Sequence, residues 1–540
     1  MQPLALAFTR RYVVYTASLL ATIVFLLISL VHPGFLFLFV LAGALAALGT
    51  WDLIQTRHSL RRNYPIAAHI RFMLEEIRPE IRQYFLESDT DGTPFNRTSR
   101  SIVYQRAKGQ LDKRPFGTQL DVDAPSFEWL NHSIAPKEPF AEPFRITIGG
   151  PDCTQPYSAS VFNISAMSFG ALSANAIRAL NKGAALGGFA HDTGEGGYSR
   201  YHREHGGDII WELGSGYFGC RNADGSFSPE IFAEQAAAEQ IKMIEIKLSQ
   251  GAKPGHGGVL PAAKVSAEIA AARGVPEGVD CISPGRHPAF STPLGLVNFI
   301  AQLRTLSGGK PVGFKLCIGH PWEFLGICKA MLATGIYPDF IVVDGSEGGT
   351  GAAPLEFVDH IGMPLRDGLL FVHNSLVGLG LRDRIRIGAS GKVTTAFDVT
   401  RLMALGADWC NAARGFMFAL GCVQSQNCHT DRCPTGVATQ DQTRQRALVV
   451  PDKAERVFHF HRSTLIALAE VIAAAGLEHP NDLKPHHISK RISPGEVRTY
   501  DQLYRFLKPR ELLDGTDDKP FAEAWTRAQA ESFAAASPSV

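Results

Sequence analysis

The chain has 540 residues, with 53 Lys+Arg against 52 Asp+Glu, so its formal net charge is +1. That balance argues against a nucleic-acid partner, which calls for a surplus of positive charge. Apolar residues at 45% exclude a wholly disordered chain, and no fixed-period repeat or low-complexity run is present.

In chain order, the first signal is apolar. Residues 12–31 carry no charge, and at about 1.5 Å per residue they cross a ~30 Å hydrocarbon core. His32-Pro33-Gly34 interrupts the helix, and a second apolar run from residue 35 to 48 extends to Ile54 with Asp52 at the interface. Arg10 and Arg11 precede the first run, Arg57, Arg61 and Arg62 follow the second, and the turn between has no Lys or Arg. The positive-inside rule predicts a two-span hairpin over residues 12–54 in the cell inner membrane, with both ends and the catalytic part cytoplasmic. Two rivals stand beside it. Thr9-Arg10-Arg11-Tyr12 faintly matches a twin-arginine export signal, but no small-residue cleavage site follows. A soluble fold with two buried helices is the other, and both runs are almost uncharged all round.

Residues 55–150 are richer in charge, with helical spacing over residues 66–85 and then polar and extended stretches. They read as a connecting and capping region. From about residue 158 to 421 one pattern recurs: a short apolar strand, a glycine-rich or polar turn, and a helical stretch. Strands are expected at 161–165, 188–191, 243–248, 279–283, 312–317, 340–343, 384–387 and 409–412. Amphipathic helices are expected at 174–186, 294–306, 323–333 and 395–405. Eight alternating strands and helices predict an α/β fold, a (β/α)8 barrel over residues 151–440, with a C-terminal helical extension over 441–540. An open doubly wound sheet is the alternative, but no G-x-G-x-x-G joins a first strand to its helix.

A barrel collects its chemistry just after each strand. Those positions hold Met167-Ser168, Thr193-Gly194-Glu195, Lys247 through Gln250 to Lys253, and Ser283 to His287. Lys315, Asp344-Gly345, Gly349, Gly391 and Arg414-Gly415 follow. Glycines after strands seven and eight suit a phosphate, because bare N–H groups reach an anion there. Lysines within strands need a partner. Singly, each glycine reads as a tight turn and each lysine as a strand end. Together they favour a phosphate-bearing cofactor, and a flavin with a lysine at its pyrimidine edge fits best.

Of nine cysteines, Cys153, Cys220, Cys281, Cys317 and Cys328 are scattered and read as small buried hydrophobes, as does Cys410 within a strand. Cys422, Cys428 and Cys433 form C-x5-C-x4-C followed by Pro434. That spacing suits iron–sulfur ligation better than zinc, which more often shows C-x2-C pairs; unligated thiols are the bland reading.

The motifs SAMSFG at 165–170, TGEGG at 193–197, QGAKPG at 250–255, EGGTGAAP at 347–354 and CHTDRCPTGVATQ at 428–440 carry a resemblance. Residues 165–440 resemble the FMN-binding synthase domain of glutamate synthase. HSLRRNYP at 58–65 and YQRAKGQLDKRPFGT at 104–118 resemble a smaller membrane-associated branch that lacks the amidotransferase domain. The resemblance implies an FMN-holding barrel beside a 3Fe–4S cluster on Cys422, Cys428 and Cys433. Met167 and Ser168 would lie along the flavin, Lys315 would face its N1/O2 edge, and the Gly391 and Gly415 loops would hold the phosphate. Asp344, Gly345, Gly349 and Arg414 would complete the cofactor site. Lys247, Lys253 and Lys264, with Gln250, would bind flavin or the two carboxylates of a 2-oxo diacid. Glu195 would lie near substrate, and Glu195, Gln250 and Lys315 are the expected catalytic residues. The implied reaction reduces 2-iminoglutarate to glutamate with electrons from a ferredoxin-like donor.

Departures from the family pattern matter. His256 replaces a glutamate in KPGEGG, and Ser390-Gly391-Lys392 replaces a DGG-like loop. Without an amidotransferase domain the chain would use free ammonia, a separate amidotransferase subunit, or another substrate. The alternatives are an N-substituted amino-acid synthase, a 2-hydroxy-acid oxidase-like enzyme, or a membrane-tethered redox relay.

Overall fold

The computed structural model describes residues 10–537. The chain divides into two compact units, residues 1–93 and 94–540.

The first unit begins with helices Val13–Ser29 and Leu36–Ile54, joined through a turn in which Pro33 opens a 3-10 segment. Both helices are long and apolar enough to cross a membrane. Their seam is built from small residues: Ser18, Ala42, Ala46 and Gly49 are buried, whereas large side chains such as Leu20, Ile23 and Leu41 point outward. Gly49 is required there, because a Cβ would sit 2.4 Å from the Tyr15 ring. Small residues let helix backbones approach where no hydrophobic effect drives them together. The Tyr15 hydroxyl, 3.0 Å from Thr50 Oγ1, adds a polar tie across the seam.

In the second unit eight parallel strands close into a barrel. We label them β1 (Phe162–Ile164), β2 (His191–Asp192), β3 (Ile209–Leu213) and β4 (Ile241–Lys247). The others are β5 (Val312–Leu316), β6 (Phe340–Asp344), β7 (Arg386–Ser390) and β8 (Trp409–Ala412). The predicted helices form with small shifts at their ends: Ala174–Gly187, Pro293–Leu306, Pro321–Thr334 and Ala396–Ala404. Local chemistry sets those ends. Ser173 caps the first through the Ala176 N–H, Thr292 precedes a proline at the start of the second, and Thr395 and Asp398 form a reciprocal capping box on the last.

One strand assignment is corrected. Residues 279–283 do not enter the barrel; Cys281–Ile282 pairs antiparallel with Val259–Leu260 in a small hairpin outside it. The third barrel strand is instead β3, which pairs β2 on one side and β4 on the other. The reason lies in what precedes it. Between β2 and β3 lies only the short helical turn Arg200–Arg203, so the strand–helix alternation that marks the others is missing there, and Glu212 further weakens the apolar signal.

Flanking segments join the barrel in this unit. The hairpin of Arg145–Ile148 and Tyr157–Ser160 precedes β1. Glu128–Leu130 pairs with Ile488–Ser493, which pairs in turn with Glu496–Thr499, so residues far apart in sequence share one sheet. Helix Val450–Ala474 is a third segment long and apolar enough to cross a membrane, yet half of its apolar stretch is buried. Val457, Phe460, Leu468 and Ile472 are fully or almost fully buried. Gly183 of helix Ala174–Gly187 admits this helix so closely that a Cβ would lie 2.5 Å from Val457.

Candidate active site

The loops after the strands enclose two adjoining clefts. The inner one, with about 530 Å³ of open space, runs from Ser165, Gln250 and Lys315 to Gly391, Lys392 and Gly415. The outer one, about 820 Å³, is lined by Met167, Ser168, Glu195, Lys247, Lys253, Arg273 and Cys428. Ala166, Gln250, Gly349, Ala413 and Arg414 border both, so the two form one continuous depression. Most of the expected residues therefore meet here, Asp344 included.

Close backbone approach builds the walls. Gly251 lies against the loop after β6, where a Cβ would come 1.9 Å from the Gly345 carbonyl. Its N–H donates to Asp344 Oδ2 at 2.7 Å, and the Ala252 N–H donates to the Ser346 carbonyl at 3.0 Å. Gly345 thus serves this clasp between loops, and its own N–H bonds the Ser390 carbonyl at 2.9 Å. At the β7–β8 end, Lys392 has φ +51°, and a Cβ on Gly415 would meet the Val393 carbonyl at 3.2 Å. Bare backbone at that end is what an anionic group would require.

Beneath the inner cleft is a charged layer inside the barrel. Lys315 is 3% exposed and ion-pairs with Glu212, with Glu245 at 3.1 Å and with Asp192 at 4.0 Å. Burial opposes the ammonium, but Glu212, Glu245, Asp192 and Asp344 hold the Lys315 pKa well above its usual value. Burial pushes Glu245 up to about 7, with Glu212 adding and Lys315 opposing. Asp192 is also raised, by burial and then by Glu245. Lys315 thus has partners within the protein as well as a place on the cleft wall.

The outer cleft is cationic around one carboxylate. Lys247 Nζ lies 3.1 Å from Glu195 Oε2, and the Ser283 hydroxyl donates to the same oxygen at 3.5 Å. Burial alone would raise Glu195, but Lys247, Lys253 and Arg273 hold it down at about 2. A Cβ on Gly258 would lie 1.8 Å from Glu195 Oε1, so the loop after β4 presses on this side chain. Burial draws Lys253 down to about 8, Glu195 opposing and Lys247 adding to the fall. Lys253 Nζ donates to the Ala352 carbonyl at 3.3 Å, and Arg273 donates to the Phe169 carbonyl at 3.0 Å.

Lys264 stands apart. It is 2% exposed, does not line either cleft, and donates to the Ala171 carbonyl at 2.8 Å, with Cys428, Asp431 and Cys433 near enough to act on its charge. Burial lowers its pKa, and those two thiols and Asp431 oppose the fall.

Cys422 follows Gly421, the left-handed cap of helix Arg414–Leu420. Between the cysteines Gln424, Gln426 and Asp431 have φ +57°, +58° and +64°, a strained course for side-chain-bearing residues. Asp431 holds the loop by accepting from the Gln440 N–H at 2.7 Å, and the Gln440 side chain donates to the Gly170 and Leu172 carbonyls after β1. Arg414 points a guanidinium N–H at Cys428 Sγ, 3.8 Å away. Burial would raise Cys433, but the Thr435 hydroxyl and the N–H groups of Ala438, Thr435 and Val437 bring it below its usual value. Cys422 is raised to about 11 by burial, the neighbouring thiols adding to it.

Sequence reasoning missed Arg273, Glu212, Asp192 and Glu245. Arg273 ends helix Ala267–Arg273, directly before the left-handed Gly274 that caps it, and carries no strand-end signal. The three carboxylates were hidden by separation along the chain.

A family model described as the conserved region in glutamate synthase matches residues 152–478. The glutamate synthase large subunit-like protein YerD of Bacillus subtilis is 38% identical over 493 residues, covering 84% of this chain and 93% of that protein. An archaeal NADPH glutamate synthase of Methanocaldococcus jannaschii is 36% identical over 324 residues, 59% of this chain and 60% of its own. The NADPH glutamate synthase large chain of Azospirillum brasilense is 32% identical over 392 residues, which is 67% of this chain and 25% of that one.

Proposed function

The chain belongs to the glutamate synthase family, and from that premise we propose that it is an FMN- and iron–sulfur-dependent oxidoreductase that reduces 2-iminoglutarate to glutamate. The observation that carries this reading is the continuity of the two clefts: one depression joins the bare backbone at Gly391 and Gly415, the Lys315 wall, the Lys247/Lys253/Arg273 cations and Cys428.

The residues fit the groups. Gly391, Lys392 and Gly415 would hold the FMN phosphate, Met167 and Ser168 would border the ring, and Lys315 would meet its pyrimidine edge. Cys422, Cys428 and Cys433 would hold a 3Fe–4S cluster, with Arg414 and Lys264 offsetting the sulfur charge. Bound there, FMN would supply hydride chemistry and the cluster single-electron transfer from a ferredoxin-like donor.

The chain's own residues bind substrate and hold protons. Lys247, Lys253 and Arg273 would take the two carboxylates of a 2-oxo diacid. Glu195, held at about 2, stays a carboxylate and would accept an N–H from the substrate iminium. Lys253, near 8, is the cleft cation whose proton can be given up close to neutral pH. Gln250 on the border of both clefts would orient substrate against the cofactor. Nitrogen would come as free ammonia or from a separate amidotransferase subunit. The two apolar helices would span the cell inner membrane with the barrel in the cytoplasm.

The test is anaerobic purification in detergent, a visible spectrum with flavin and metal analysis, and a glutamate assay with 2-oxoglutarate, ammonium and reduced ferredoxin. Flavin, iron and glutamate together are expected. Bound flavin without turnover of any 2-oxo diacid would overturn the substrate, and absence of flavin would overturn the reading.

A further inference from the structure

Beyond the two spans, the first unit contains an amphipathic helix whose apolar face nothing in that unit covers. Helix Ala67–Ile81 continues into a wider turn at Arg82–Leu86. Ile70, Met73, Leu74 and Ile77 recur at i, i+3, i+4 and i+7, so they form one stripe. They are 59%, 54%, 49% and 41% exposed, and Phe85 in the following turn is 83% exposed. The opposite side is already occupied: the Phe72 ring is capped by the Arg61 guanidinium at 4.9 Å and neighboured by His58 at 6.0 Å. The bare stripe therefore does no packing for the helix that carries it.

The helix is pinned to the end of the second span. Asp52 is fully buried; its Oδ2 accepts the Ile66 N–H at 2.9 Å, and His69 Nε2 lies 2.9 Å from both carboxylate oxygens. Ile66 itself has φ +66°, a conformation that costs a β-branched residue dearly. A buried carboxylate thus holds a strained corner, and that corner sets where the helix leaves the span. Charge follows the same logic. Residues 55–86 hold six arginines and three glutamates, and Arg57, Arg61 and Arg62 lie between span and helix.

We propose that residues 67–86 lie along an anionic membrane surface, with the Ile70/Met73/Leu74/Ile77 stripe sunk below the phosphates and the arginines bonded to them. This rests on the reading of the hairpin as membrane-spanning. Three observations select lipid as the occupant: the helix begins thirteen residues after Ile54 ends the second span, its corner is fixed by that span's own carboxylate, and its surroundings carry excess positive charge. An interfacial helix buries its apolar face among headgroups and upper acyl chains, and basic residues beside a span favour anionic lipid.

The experiment places the photoreactive residue p-benzoylphenylalanine at Met73, Glu75 or Leu26 in the full-length protein. Each protein is reconstituted in nanodiscs of equal parts phosphatidylcholine and phosphatidylglycerol, and crosslinked products are read by mass spectrometry. Leu26 lies within the first span and reports whether the hairpin is in lipid at all. The expected result is lipid adducts at Met73 and Leu26, with roughly tenfold less at Glu75 on the polar side, and phosphatidylglycerol enriched in the Met73 adducts. Lipid at Leu26 with protein crosslinks at Met73, to the second unit or to another copy, would overturn the proposal while the spans stand. No lipid at Leu26 would overturn the hairpin reading and the proposal with it.

Discussion

Lys315 shows what a charged side chain inside a barrel requires. Its ammonium is the only cation directly paired with Asp192, Glu212 and Glu245 among the described residues. Lys315→Met should destabilise the chain by about 3–5 kcal/mol, because it strands buried carboxylates. Adding Glu212→Gln should recover much of that loss in urea denaturation monitored in detergent. In that double variant the proposed flavin should become harder to reduce and turnover should slow roughly tenfold, since a charge-assisted contact of about 1.5–3 kcal/mol is gone. Glu245 adds a pH signature. Its folded pKa of about 7 exceeds the ordinary glutamate value of 4.5, so between the two the folded state holds a proton the unfolded chain has lost. That stability is full below about 4.5 and lost as pH rises through about 7. Glu245→Gln should flatten part of the fall in Tm over that window. Lys253 gives a kinetic counterpart: it loses its proton as pH rises through about 8, so kcat/KM should decline above that point, and Lys253→Arg should abolish the decline.

At the scale of elements, the loop after β4 and the loop after β6 act as one wall. Gly251→Ala should lower activity by two orders of magnitude or more with iron retained, because the new Cβ would strike the Gly345 carbonyl and displace the Asp344 bond; a ~1 Å shift is enough for such a loss. The cysteine loop is separable. Cys428→Ser should remove iron while bound flavin persists, read by metal analysis and visible spectrum, since the bare backbone at Gly391 and Gly415 belongs to other strand ends. Seven of the eight strands were legible because each sits in an alternation of short strand, glycine-rich or polar turn, and helical stretch. The third was not, because only the short turn Arg200–Arg203 separates it from β2, and its Glu212 finds a partner only in Lys315, 103 residues further on. Local patterning cannot carry that dependence. Lys264, grouped with the cleft cations only through the family resemblance, instead ends the short turn Ala262–Lys264 and donates to the Ala171 carbonyl.

For the whole molecule, the arginine distribution predicts that a cytoplasmic reporter fused after Arg62 is active and a periplasmic one silent; the reverse would favour export through Arg10 and Arg11. Helix Val450–Ala474 sets a further condition on how the protein is made. Leaving the ribosome, this segment is long enough and, at a mean hydropathy of 1.2 against 2.1 and 2.0 for the hairpin helices, just apolar enough to count as a span. Half of that stretch is buried once folded. The insertion machinery reads each segment as it emerges, some 400 residues after the hairpin. Barrel closure must therefore outrun recognition of the late helix. With the hairpin in a membrane, as proposed, a barrel that folds slowly would present a third candidate span, making topology a kinetic outcome of folding as well as a property of hydropathy.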